Sequence, residues 1–311
     1  MLGELSAGGH GGRGEFHRYV SSLKLRVLEG NPSLSSLSYS IVLPAYNEGA
    51  RIATTLQKIL AHVEQKAWRC EVIVVNDGSS DDTASIVHQY AVRYPNLRLL
   101  ANPGNRGKGY SVRNGMLNAK GDILLFSDAD LSSPIAEADK LFAAINDGAD
   151  MAIGSRWLKT ELQIQRQPVY RQAFGRIFNA LLRVILGLKF KDTQCGFKAV
   201  TREAAEYLFP LQQIERWGFD PELLYLAGRF RLRVEEVAVE WSHREGTRIS
   251  PLRDGLRMFV DVLRIRCNAT MGKYSPVPKQ DNLAMSESPR KVPPLSQSSY
   301  AVTRTRAARR R

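Results

Sequence analysis

Between Ser40 and Gly154, short apolar runs alternate with amphipathic stretches, and polar residues collect just after the runs. The segments Ser40-Ile41-Val42-Leu43-Pro44, Glu71 to Val75, Leu97 to Ala101, Asp122 to Phe126 and Met151 to Gly154 read as strands. Proline is expected to stop the first of them. Helices are expected over Arg51–Gln65, Asp82–Tyr94 and Gly109–Ala119; in the first, Ile52, Leu56, Ile59, Leu60 and Val63 recur at helical spacing. Near-continuous apolar strands separated by helices require an α/β, Rossmann-like architecture, a mostly parallel sheet with helices on both faces. Such sheets bind ligands beyond the carboxyl ends of their strands. Pro44 to Glu48, Asp77 to Asp82 and Asp128 to Asp130 all fall there.

The second half continues less regularly. Lys191 to Val200 is a polar turn running into a strand, and Val234 to Trp241 alternates like a strand. Arg202 to Phe209 and Pro221 to Phe230 read as helices. Two further helices are amphipathic and basic, near residues 171–188 and 251–267. In the first, Phe174, Phe178, Leu181, Ile185 and Leu188 face one way and Gln172, Arg176, Asn179 and Arg183 the other. In the second, Leu252, Leu256, Phe259 and Leu263 form the stripe. Each stripe suits either a core or a membrane interface.

Residues 39–272 are therefore expected to form one domain. Residues 1–38 read as a poorly ordered arm, and residues 273–311, rich in Pro, Ser and Arg, as a basic disordered tail. The chain of 311 residues carries a net charge of +13. From Ser275 onward, eight Lys or Arg stand against two Asp or Glu, so +6 of the excess lies in the tail and +7 elsewhere. A basic body suits an anionic partner such as a phosphorylated substrate or an acidic lipid surface. No basic motif interleaved with aromatics is present, so nucleic acid is not the expected partner. Cys70, Cys195 and Cys267 form no C-x-x-C pair, which argues against a zinc site and for three buried small residues. No run approaches the ~20 apolar residues that span a bilayer, so contact with a membrane is expected from its surface, on the cytoplasmic face.

Asp128-Ala129-Asp130 follows a buried strand, and residues two apart in extended chain point to one side. Two carboxylates there suit one hard cation, Mg2+ or Mn2+, shared with substrate phosphates. Asp77, in Asn76-Asp77-Gly78-Ser79-Ser80-Asp81-Asp82, suits either a nucleobase contact or turn formation. Asp82 or Ser80 is placed to cap the following helix. Asn105-Arg106-Gly107-Lys108-Gly109 opens a helix with the cations and glycines that phosphate binding needs, without Walker or G-x-G-x-x-G spacing. Asp220 and Glu222 are candidates for a general base or for a helix N-terminal charge interaction.

These residues resemble glycosyltransferase family 2, with its GT-A fold. Pro44-Ala45-Tyr46-Asn47-Glu48, Asn76-Asp77-Gly78-Ser79, Arg106-Gly107-Lys108-Gly109 and Asp128-Ala129-Asp130 carry the general likeness. Asp192-Thr193-Gln194-Cys195-Gly196-Phe197-Lys198, Glu215 to Leu224 and Trp241 to Ile249 resemble the narrower group of dolichyl-phosphate β-glucosyltransferases and their polyprenyl-phosphate relatives. The likeness implies an inverting transferase that moves a hexose, as glucose from UDP-glucose, to a polyprenyl phosphate. It implies a donor site of Pro44, Ala45, Tyr46, Glu48, Asp77, Arg106, Lys108, Asp128 and Ala129. Asp128 and Asp130 would hold the metal and diphosphate and, with Asp220, make the catalytic set. Arg156, Arg171, Gln194, Arg244 and Arg248 would face the acceptor or a phosphate. Asn76 stands where many relatives carry Asp. A lipid monophosphate is largely dianionic at neutral pH, its second pKa being about 6, so it needs no strong base; a glycan hydroxyl acceptor would need one.

Overall fold

A computed structural model describes residues 37–165, 169–242 and 251–275, with side chains for all of these but 165, 169–174, 177 and 251–254. The expected arm up to Ser36 and the tail from Pro276 lie outside the described residues.

The sheet forms as the apolar runs require. Strands β1 (Ser38–Ala45), β2 (Arg69–Asn76), β3 (Leu97–Ala101) and β4 (Ile123–Phe126) are joined by helices α1 (Ile52–Gln65), α2 (Thr83–Arg93) and α3 (Lys108–Asn118). Then come α4 (Ala138–Asn146), β5 (Met151–Ser155), β6 (Gln163–Gln165), α5 (Val169–Leu186), β7 (Lys198–Thr201), α6 (Arg202–Leu211), α7 (Phe219–Arg229), β8 (Val234–Ala238), β9 (Trp241–Ser242) and α8 (Pro251–Thr270). Seven strands lie in the order β3-β2-β1-β4-β7-β5-β8, all parallel to their neighbours except β7, which runs antiparallel to β4 and β5.

Alternate residues of each strand feed opposite layers. Ile41 and Leu43 pack with Ile52, Leu56 and Ile59 of α1 and Phe142 of α4. Val42 and Val75 pack with Val112 and Met116 of α3, Leu208 of α6, Leu223 of α7 and Val262 and Ile265 of α8. Both faces are therefore covered, as a buried parallel sheet needs.

Several sequence expectations are corrected. Pro44 does not end β1, which runs on to Ala45 and still pairs with β2. The strand expected over Val234–Trp241 divides: β8 stays in the main sheet, and β9 pairs with β6 in a separate two-stranded sheet. Helix α4 was not anticipated. The packed body continues past residue 272, because Tyr274 is wholly buried. Cys70 and Cys195 are buried, but Cys267 is exposed.

The amphipathic helices follow the expected stripes only in part: near α5, Phe178, Ile185 and Leu188 do pack in the core. In α5, Leu182 and Leu186 are the deeply buried residues and Leu181 is exposed. Asn179, expected on the outer side, is buried, donating to the Lys191 carbonyl and accepting from Thr193. In α8, Val262 and Ile265 face the core, while Leu256 is 67% and Leu263 48% exposed. The expected stripe thus lies largely outward.

Candidate active site at the carboxyl rim of the sheet

The rim is built from loops that hold one another. Asn47 lies at φ 53° and donates its backbone N–H to Ser79 Oγ, while its Oδ1 accepts from Ser80 N. Glu48 N donates to Thr83 Oγ1 at 2.8 Å, and Gly49 N to Asp81 Oδ2 at 2.9 Å. Asp81 also accepts from Thr83 N. So Asp81 braces the start of α2, whereas Asp82 and Ser80, the expected caps, make no side-chain capping bond. Pro44 and Ala45 end β1 directly below, Ala45 accepting from Asp77 N, and Tyr46 is exposed at the edge.

Asp77 takes part in turn formation. It is buried, and its carboxylate accepts from Arg106 N at 2.9 Å, Gly107 N at 2.8 Å and Asn102 Nδ2 at 2.8 Å. It fixes the loop that delivers Lys108. Gly107, at φ 110°, is needed there because a Cβ would lie 2.7 Å from the Glu215 carbonyl. The Arg106 side chain turns away to Glu215 at 2.6 Å and over the Tyr110 ring.

Beyond β4, Asp128 pairs with the Lys108 ammonium. Asp130 accepts from Ser132 N at 2.8 Å, and buried Leu131 between them takes φ 48°, a left-handed conformation that costs a leucine free energy. Ala129 is buried, its carbonyl accepting from Thr55 Oγ1 at 2.6 Å. The turn is thereby anchored from α1. Burial acts to lower the Lys108 pKa, but Asp128, then Asp220 and Asp130, raise it on balance. Trp217 and Phe219 wall the ammonium, their ring centres 5.6 and 5.7 Å away.

Asp220 opens α7 and pairs with Lys198, a fully buried lysine at the start of β7 that also donates to the Cys195 carbonyl. Burial raises the Asp220 pKa, with Lys198 and Lys108 pulling it back. Sequence reasoning gave Lys198 no role; its signal was a lysine opening an otherwise apolar strand. Glu222 is wholly buried and accepts from Gln213 N, Ile214 N and Tyr274 Oη, so it serves the framework.

The 192–198 segment closes the site. A Cβ on Gly196 would lie 2.5 Å from Asp128 Oδ2 and 2.7 Å from Lys108 Nζ. Arg156 is held by Asp192 through Nε at 2.6 Å and Nη2 at 2.8 Å, and lies near the Trp157 and Trp241 rings. Burial would raise Asp192, but Arg156 outweighs it and holds that carboxyl below its ordinary range. Arg156 is thus occupied by an internal carboxylate. Gln194 donates from N to Asp192 Oδ1 and approaches Met258 Sδ at 3.8 Å, on α8. The Arg171 side chain, Arg244 and Arg248 lie outside the described residues.

Among the described residues, no group of three or more His, Cys, Asp or Glu converges to cage a metal. The two acids Asp128 and Asp130 instead fit Mg2+ or Mn2+, hard cations that keep waters and take remaining ligands from substrate phosphates.

The family model for glycosyl transferase family 2 matches residues 40–209. A dolichyl-phosphate beta-glucosyltransferase of Trichomonas vaginalis is 38% identical over 261 residues, covering 80% of this chain and 77% of the relative. That of Drosophila melanogaster is 38% identical, covering 82% and 81%, and that of Homo sapiens 34%, covering 76% of each. In fold, the chain is similar to glucosyl-3-phosphoglycerate synthase of Mycobacterium tuberculosis, solved with Mn2+, UDP and glucosyl-3-phosphoglycerate, with a TM-score of 0.56 and 24% identity over 75% of this chain and 81% of that one.

Proposed function

The chain belongs to glycosyltransferase family 2, and from that premise we propose that it is an inverting hexosyltransferase moving glucose from UDP-glucose to a polyprenyl or dolichyl phosphate. One observation carries the reading. The Asp128-Ala129-Asp130 turn, which carries the general family likeness, and the narrower 192–198 motif meet where Gly196 lies against Asp128 and Lys108.

Lys108 supplies a cation to the donor diphosphate and, with Trp217 and Phe219 beside it, sits in a partly dry wall where charge is worth more. Asp128 and Asp130 would hold Mg2+ or Mn2+, which would supply positive charge to offset that of a departing diphosphate. Asp220 is tied to Lys198 and Glu222 to three donors. With both candidate bases engaged, a phosphate acceptor, already a nucleophile, suits the site better than a hydroxyl. Catalysis then rests on positioning and charge stabilisation.

Helix α8 suits the lipid side. Leu256, Val260 and Leu263 are exposed along one stripe, flanked by exposed Arg257, Arg264 and Arg266, and Met271 is exposed just past the helix end. No helix among the described residues is long and apolar enough to cross a membrane. The protein rests on the cytoplasmic face through this stripe. The test is a donor screen: purified protein, Mg2+ or Mn2+, and vesicles holding polyprenyl phosphate, offered UDP-glucose, GDP-mannose and related donors, with released nucleotide measured. Release from UDP-glucose that requires the lipid phosphate supports the reading. Transfer to a glycan hydroxyl, preference for GDP-mannose, or no lipid dependence overturns it.

A further inference from the structure

The loop from Gln212 to Gly218 is bonded on both sides. Toward the site, Gln212 Nε2 donates to the Gly109 carbonyl at 2.9 Å, and the Glu215 carbonyl accepts from Tyr110 N at 2.9 Å. Both partners lie in the first turn of α3, the turn that begins with Lys108. Contact is tight: a Cβ on Gly109 would fall 2.6 Å from the Ile214 carbonyl oxygen.

Toward α8, the same loop is held twice. Gly218 packs directly on Asp261, where a Cβ on the glycine would come 2.6 Å from Asp261 Cβ and 2.9 Å from its Oδ2. Further on, Tyr274 Oη donates at 2.6 Å to Glu222 Oε1, and Glu222 accepts the backbone N–H groups of Gln213 and Ile214. Tyr274 and Glu222 have no exposed surface. A buried carboxylate receiving a hydroxyl and two amides is a rigid junction. The loop carries Trp217, one wall of the Lys108 ammonium.

We propose that Asp261, Glu222 and Tyr274 are positioning residues that make α8 a control element for Lys108, transmitting the seating of the helix through the 212–218 loop to the first turn of α3. The inference rests on the transferase reading for its catalytic readout, but the coupling itself does not. Helix α8 presents apolar residues outward and Asp261 inward, and the turn that follows it carries Tyr274 inward to Glu222. Its placement on a surface and the attitude of the lysine are consequently one mechanical variable.

The test uses Tyr274→Phe and Asp261→Asn in the full chain, assayed well below the melting temperature. Nucleotide release from UDP-glucose with polyprenyl phosphate should fall in kcat about 5–10-fold with the donor KM within about 2-fold, as expected when positioning rather than binding is lost. In a Lys108→Ala background the same substitutions should cost less than about 2-fold, since their effect passes through the lysine. Without substrate, iodide quenching of Trp217, isolated by difference against Trp217→Phe, should rise in both variants. Wild-type kcat in the two variants, equal losses in the Lys108→Ala background, or unaltered quenching overturns the proposal. If the wild-type protein moves no sugar, the transferase reading fails, and the quenching result alone decides the coupling.

Discussion

Gly196 lies so close to Asp128 that any side chain at position 196 would stand 2.5 Å from the carboxylate Oδ2. The site thus depends on a missing methyl group. Gly196→Ala must push Asp128 and Lys108 apart, and both are side-chain ends that can move. Folding should survive, with the melting temperature within a few degrees of wild type. Turnover should drop about 100-fold, the cost of an ångström-scale misplacement. Steady-state kinetics beside a thermal melt checks this.

Asp130 makes one bond to its own turn, to Ser132 N. Asp130→Ala should therefore cost little stability, on the order of 1 kcal/mol, while abolishing metal-dependent turnover. Titrating Mg2+ or Mn2+ into an EDTA-treated sample measures the effect. Full activity in EDTA would contradict the role given to the two acids.

Asp77 has the opposite profile. It is buried and holds Arg106 N, Gly107 N and Asn102 Nδ2. Asp77→Ala strands those donors and should destabilise by about 2–3 kcal/mol. Urea denaturation reads the loss, and activity should fall with it because Lys108 is delivered by that loop.

Glu222 gives a pH dependence. Burial pushes its pKa from the ordinary 4.5 to about 7, against the bonds from Tyr274, Ile214 and Gln213, with Asp261 adding to the rise. The folded protein thus holds this proton more tightly than the unfolded chain. Its contribution to stability is complete below about 4.5 and is lost as pH rises to about 7. The unfolding free energy of wild type relative to Glu222→Gln should decline by about 2–3 kcal/mol between pH 5 and pH 8. A difference that is flat across that range would remove the buried-acid account.

On α8, Leu256→Gln with Leu263→Gln should leave melting unchanged, because both side chains face outward. Vesicle flotation should weaken by at least 10-fold, each leucine contributing about 1.5 kcal/mol of burial. Undiminished flotation would show that another surface binds the lipid.

The parallel half was legible because strands buried on both faces must be apolar throughout, and the polar ends of β1, β2 and β4 had to meet at one rim. The direction of β7 was not, since four residues, Lys198 to Thr201, read alike in either sense. The face of α8 was misread, and that of α5 at Leu181 and Asn179, for a physical reason. Each helix is apolar around more than half its circumference, so periodicity alone does not say whether Leu263 or Val262 meets the core. Asn179 is buried only because Lys191 and Thr193, distant in space until folding, supply its partners. Tyr274 looked like the start of a tail, and its burial depends on an acid 52 positions earlier. Asp77, read as a turn former or a ligand contact, does form the turn, through the bonds it accepts from Arg106 N, Gly107 N and Asn102 Nδ2.

The reversed strand has an architectural consequence. Because β7 enters the sheet against the grain, its beginning rather than its end stands at the working edge, and the segment feeding it from residue 192 arrives there from outside the parallel series. The chain between α5 and β7 takes part in no parallel pair, so the register of the parallel strands is set without it. The segment nonetheless meets the turn beyond β4 at Gly196, so a change at its tip is felt at Asp128 and Lys108 while the parallel pairs stay in register.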